Sequence, residues 1–237
     1  QGKRTELRTM PSTDPLQTDS YRMSTARKHI SDRIDYLQNE CLKGLIHYRM
    51  WNKIGDKILE GSHLWENFQL FFQSTLSAHF DQATLHLNRL VDKSSSSVSI
   101  RTLLRKAEKN PDAFQEADPE EVQNIVDRGL SRLDANQERI ENLREQRRRH
   151  FVHLDSGDIP SFEEVYEDNP LERRDIYELL ELIADILNDL LGALRDGEMI
   201  MEMVEEKHTE DVLDLLEEAL ERREQEHIRD MKNRLSD

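Results

Sequence analysis

The chain has 237 residues, 49 of them acidic and 33 basic, for a net charge of -16. So acidic a surface excludes indiscriminate binding to nucleic acid or anionic membrane, and any RNA contact has to come from a local basic patch. A single cysteine, Cys41, excludes an internal disulfide framework and fits a reducing, cytoplasmic setting, while no apolar run approaches the roughly 20 residues of a membrane span and no secretory signal is visible.

Mean hydropathy is low at -0.81, yet Leu, Ile, Val, Phe and Met recur with helical spacing, and Gly (8) and Pro (6) are scarce. That pattern predicts charged amphipathic helices and argues against a turn-rich sheet. Residues 1–23 lack a period and read as a flexible leader. From Ser24 to about Leu59, Ile30, Ile34, Leu37, Cys41, Leu45, Tyr48, Trp51 and Ile58 describe a long helix, with Gly44 inside it. Gly61-Ser62 interrupts the pattern, and Ser62 is suited to cap the next helix.

That second helix, about 63–92, is the most apolar: Leu64, Phe68, Phe71, Phe72, Leu76, Phe80, Ala83, Leu87 and Leu90 place it at the centre of a bundle. His79 and His86 lie seven apart on the same side and read as buried, hydrogen-bonded histidines, since a metal needs more than two donors. After the polar loop Ser94–Ser97, Ser99 starts a short helix that Asn110-Pro111 stops. A third long helix begins at Pro119, with Glu120 and Glu121 in its first turn, and its stripe runs through Val122, Ile125, Leu133, Ile140 and Leu143 to Phe151, ending near Asp155. A connector over 159–170 leads to a fourth helix, whose stripe runs from Leu171 through Leu194 to Val204. A charged helix with a thinner stripe closes the chain over 208–237. The reading is all-α: an antiparallel four-helix bundle over 24–206, with a short extra helix and a C-terminal helical extension over 207–237. The apolar faces of the second and fourth helices exceed what one four-helix core needs, so a homodimer is expected.

Chemistry concentrates at the end of the third helix. Arg144, Arg147, Arg148, Arg149, His150 and His153 fall within ten residues, followed by Asp155. A guanidinium that grips a phosphate beside an imidazole that moves a proton is a minimal kit for cleaving RNA. A solvated basic helix end that balances acidic neighbours has the same composition. Arg147 and His153 have five residues between them; Arg148 with His153 and Arg144 with His150 also satisfy the spacing. Glu60-x-x-His63, Glu205-x-x-His208 and Glu224-x-x-His227 carry the spacing of di-iron bundles but lack partner glutamates in a core stripe, so no metal or other cofactor is expected. His150 and His153 with Asp155 could hold a transition metal, but the nearby arginines oppose it.

The segment His86-Leu-Asn-Arg-Leu-Val-Asp92, the Ser-rich loop, the short helix Ser99-Ile-Arg-Thr-Leu-Leu-Arg105 and the run Arg147-Arg-Arg-His-Phe-Val-His153-Leu-Asp155 together resemble the HEPN superfamily, most closely its abortive-infection U-type branch. The resemblance spans about residues 25–205. It implies a metal-independent ribonuclease of the toxin or antiphage-defence kind. Arg147 and His153 are then the catalytic pair, and Arg144, Arg148, Arg149 and His150 contact RNA. It also implies two motifs facing each other across a homodimer and a nucleotidyltransferase antitoxin as partner. Arg148 departs from the family pattern, which has a small polar or acidic residue there. A catalytically silent bundle, acting as a dimeric binding or regulatory subunit, is the alternative.

Overall fold

A 45-residue helix, α1 (Pro15–Leu59), is the spine on which most of the other elements pack. The computed structural model describes residues 15–61, 63–147, 170–195 and 205–236. After α1 come α2 (His63–Leu90), α3 (Ile100–Glu108), a 3-10 turn (Pro111–Ala113), α4 (Pro119–Ala135), α5 (Gln137–Arg147), α6 (Arg173–Leu194) and α7 (Glu205–Ser236). No strand occurs among the described residues. The directions alternate. His86 meets Glu40 and His79 meets His47, so α2 runs against α1. Arg128, Arg132 and Arg139 reach Asp189, Asp185 and Glu178, so α4 and α5 run against α6. The protein is an antiparallel four-helix bundle of α1, α2, the α4–α5 pair and α6, with α3 as the short extra helix and α7 as the extension.

Local chemistry sets the starts of α3, α4 and α6. The Asp118 side chain accepts from the Glu121 N–H at 2.9 Å, with Pro119 at the first helical position. Ser99 and Thr102 form a capping box on α3, and Glu172 and Asp175 form one on α6. At the far end of α6, Arg27 donates to the Leu194 carbonyl, one of the acceptors a helix end leaves unpaired.

The main core joins Ile30, Ile34, Leu37 and Leu45 of α1 to Leu87 and Leu90 of α2, Leu103 and Leu104 of α3, and the twelve buried residues of α6. Gly44 has a packing reason. A Cβ there would lie 2.9 Å from Leu180 Cδ2, so the glycine lets α1 and α6 approach. Cys41, fully buried, faces the Leu180 carbonyl at 3.5 Å, and burial pushes its thiol up to about 12.

Three features differ from the sequence expectation. First, α1 begins at Pro15, inside the stretch read as a leader; proline suits a first helical position, and the polar turns extend a stripe that starts later. Second, the third helix is broken. Asn136 leaves helical geometry (φ -103, ψ 17), because its side chain donates to the Arg132 carbonyl and accepts from Arg139, so α4 and α5 are separate segments. Third, α2 is kinked at Phe68 (φ -134, ψ 35), and Phe68 and Phe71, read as core, are 42% and 61% exposed. Only the distal part of α2 lies in the main core. Its first half meets the end of α1 and the start of α7 in a smaller cluster of Ile54, Leu64, Phe72, Leu213 and Leu220. The expected cap Ser62 lies outside the described residues, as do 148–169 and 196–204. Among the described residues no helix is long and apolar enough to cross a membrane.

Candidate nucleic-acid interface

Helix α5 buries Ile140, Leu143 and Gln146 and turns Glu141 and Arg144 toward the end of α2. There the Arg144 guanidinium donates to the Val91 carbonyl, just past the last turn of α2, and to Glu141 Oε1 at 3.2 Å. Glu141 also pairs with Lys93, whose hydrogen bond is the largest influence holding its carboxyl below the ordinary range. Burial lowers the Arg144 pKa, with Glu141 and Asp92 opposing. Arg144 therefore caps α2 and clamps α5 to it; the group expected to guide RNA is engaged within the protein. Arg147 follows one turn later, half-buried, in the last described turn of α5. Arg148, Arg149, His150, His153 and Asp155 lie outside the described residues, so the Arg147–His153 geometry is not among the described contacts. One turn back along α2, Asn88 is buried, donates to the Thr84 carbonyl at 2.9 Å, and finds no partner for its Oδ1 among the described residues.

A second polar group lies between α1 and α2. His86 Nδ1 is 2.9 Å from Glu40 Oε2, and Arg89 donates to the same oxygen at 3.1 Å, both Glu40 and His86 being buried. Burial alone would raise the Glu40 carboxyl; hydrogen bonds from His86 and Arg89 outweigh it and hold the carboxyl low. His47 and His79 bring their Nδ1 atoms to 2.9 Å, and the His47 ring stacks over His86 at 5.9 Å. The reading of His86 as a buried, hydrogen-bonded histidine holds, and His79 is half-buried and bonded. Sequence reasoning missed Glu40 and His47. The signal was the seven-residue step from Glu40 to His47, which matches the step from His79 to His86 once the helices run antiparallel. Among the described residues no group of three or more His, Cys, Asp or Glu side chains is disposed to hold a metal.

The histidine pair makes stability depend on pH. Burial lowers both pKa values from the ordinary 6.5, and for His47 the neighbouring His79 and His86 add to it. A depressed imidazole binds protons less well folded than unfolded. Its stability is therefore complete above pH 6.5 and is lost as pH falls from there through the folded value. The melting temperature should drop between pH 7 and 5, and His47→Gln should flatten that drop. Equal slopes for the two proteins would remove the pair from the account.

A model of the HEPN class described as AbiU2 matches residues 27–234. No curated protein and no solved structure matches the chain.

Proposed function

The chain belongs to the AbiU2 family of HEPN proteins, and from that premise we propose that it is a metal-independent ribonuclease of the abortive-infection type. The observation that supports this reading is Arg147. It stands on the final described turn of a helix that Arg144 fastens to the end of α2, with His150 and His153 next in the sequence. In the proposed reaction His153 takes the proton of a ribose 2′-hydroxyl. The 2′-oxygen forms a bond to the adjacent phosphorus and the bond to the 5′-oxygen breaks, the departing oxygen taking a proton from water, which leaves a 2′,3′-cyclic phosphate and a 5′-hydroxyl. A free imidazole pKa near 6.5 suits that transfer at neutral pH. Arg147 stabilises the charge on the phosphorane, and Arg148, Arg149 and His150 guide the strand. Arg144 positions the helix.

The test is incubation of the purified protein with single-stranded RNA in excess EDTA. Cleavage should persist and yield 2′,3′-cyclic phosphate ends. Cleavage that needs a divalent ion, or none at all, would leave the silent binding bundle as the better reading.

A second copy completes the proposed cleft by adding its own basic patch. Leu59, Phe68, Leu70 and Phe71, exposed among the described residues, supply apolar area for that contact. Light scattering at micromolar concentration should give twice the 28.0 kDa chain mass; the mass of one chain would count against the dimer.

A further inference from the structure

Beside the start of α6 lies an open cavity of about 400 Å³, walled by Trp51 of α1, Phe80 of α2, and Leu171, Arg173 and Ile176. Ligand cavities start at about this size, and it is ample for one nucleotide. Its lining mixes aromatic rings with charged and polar side chains, whereas an empty packing cavity is apolar. The Trp51 and Phe80 rings meet at 5.1 Å and 53°. The Arg173 guanidinium lies 4.8 Å from the Trp51 ring centre, and among the described residues its contact with the Asp56 carboxylate is a long one, 3.5 Å. Ser77 and Asp81 add polar groups to the wall. An aromatic wall with a stacked guanidinium is the surface on which proteins receive unstacked bases, because every base has a π-face and its phosphate is an anion.

The recess also adjoins α5. Asn142 donates to the Pro170 carbonyl at 3.1 Å, and Leu171, the next residue, is part of the cavity wall. Its rim is thus tied to the helix that carries Arg147. We propose that this recess holds one unstacked nucleobase, with Trp51 and Phe80 against the base and Arg173 toward its phosphate. The base comes from an RNA strand at the α5 site, an assignment of source that rests on the ribonuclease reading. A free nucleotide presents the same chemistry.

Trp51 reports on its own cavity once the second tryptophan is removed, so the probe is fluorescence of the full chain carrying Trp65→Phe. The ligands are a 2′-O-methyl oligonucleotide, which lacks the attacking hydroxyl, and nucleoside 5′-monophosphates. The oligonucleotide should quench at micromolar concentration and the monophosphates only at much higher ones. Arg173→Gln and Phe80→Leu should each weaken the oligonucleotide on the order of tenfold. Filter binding of the labelled oligonucleotide to the chain with both tryptophans, with and without Arg173→Gln, gives the same comparison should Trp65→Phe fail to fold. Equal quenching by monophosphates and oligonucleotide would keep the base site and overturn the strand as its source. Binding indifferent to Arg173→Gln and Phe80→Leu, or no binding by either ligand, overturns the recess. The two readings fail separately. Quenching without cleavage in EDTA sinks the ribonuclease and keeps the base site, and cleavage without quenching does the reverse.

Discussion

If the proposed ribonuclease reading holds, RNA cleavage in EDTA should fall by about 10²–10⁴-fold when His153 is replaced by alanine, the usual loss when a general acid–base group is removed, with helical circular dichroism unchanged. On the same reading Arg147→Ala should lower the rate by a comparable factor, about 10²–10³, by withdrawing a donor from the phosphorane. Arg144→Ala behaves differently, because its guanidinium holds the Val91 carbonyl and Glu141. Loss of those partners destabilises the α2–α5 contact by about 1–3 kcal/mol, so the melting temperature drops together with activity. An Arg147 variant that keeps full activity while Arg148→Ala or His150→Ala is dead would shift the catalytic pair and sink the present residue assignment. If all of these variants cleave as well as the parent, the chemistry lies elsewhere.

Glu40→Ala has the largest expected effect on folding, about 3–5 kcal/mol, because it strips a buried histidine of its partner and leaves Arg89 without its carboxylate. Denaturant titration at neutral pH measures it, with a midpoint shift and an unchanged slope. Glu40→Gln keeps a hydrogen-bond acceptor and should fall between the two proteins. The acid limb supplies a second signature. A carboxyl held below its ordinary value of 4.5 contributes stability above that pH and loses it as pH falls through the folded value. The Glu40 variants should therefore lose less stability on acidification below about pH 4 than the parent does. A midpoint that does not move on removing Glu40 would mean the network is incidental to the fold.

The main helices are legible in the sequence because their signals are local. Pro119 with Glu120 and Glu121 announces α4, Ser99 announces α3, and the unbroken Leu and Ile period of 176–194 announces α6. What stays hidden depends on partners. No Gly or Pro marks the break at Asn136, where one side chain competes for the Arg132 carbonyl. The stripe through Phe68 and Phe71 says that a face is apolar, and the partner that covers it is a separate fact. In the candidate site, the Arg and His motif is visible as spacing. The clamp by Arg144 is not, since its acceptor is a backbone carbonyl 53 residues away in the chain. Glu40 and His47 are invisible for the same reason: their meaning appears only when the register of α1 on α2 is known.

The two Nδ1 atoms 2.9 Å apart in His47 and His79 carry a consequence of their own. While both rings are neutral, a single hydrogen lies between those atoms, so one ring is the Nδ1–H tautomer and the other the Nε2–H tautomer. The choice made by one ring dictates the other. Of the two remaining Nε2 atoms, one then offers a lone pair and the other an N–H. The two exchange when that hydrogen crosses the pair while the ring that receives it gives up its Nε2 proton and the other ring takes one up from solvent at Nε2. The seam between α1 and α2 thus holds a two-state polar element, reversed without moving a heavy atom and erased once either ring takes a second proton.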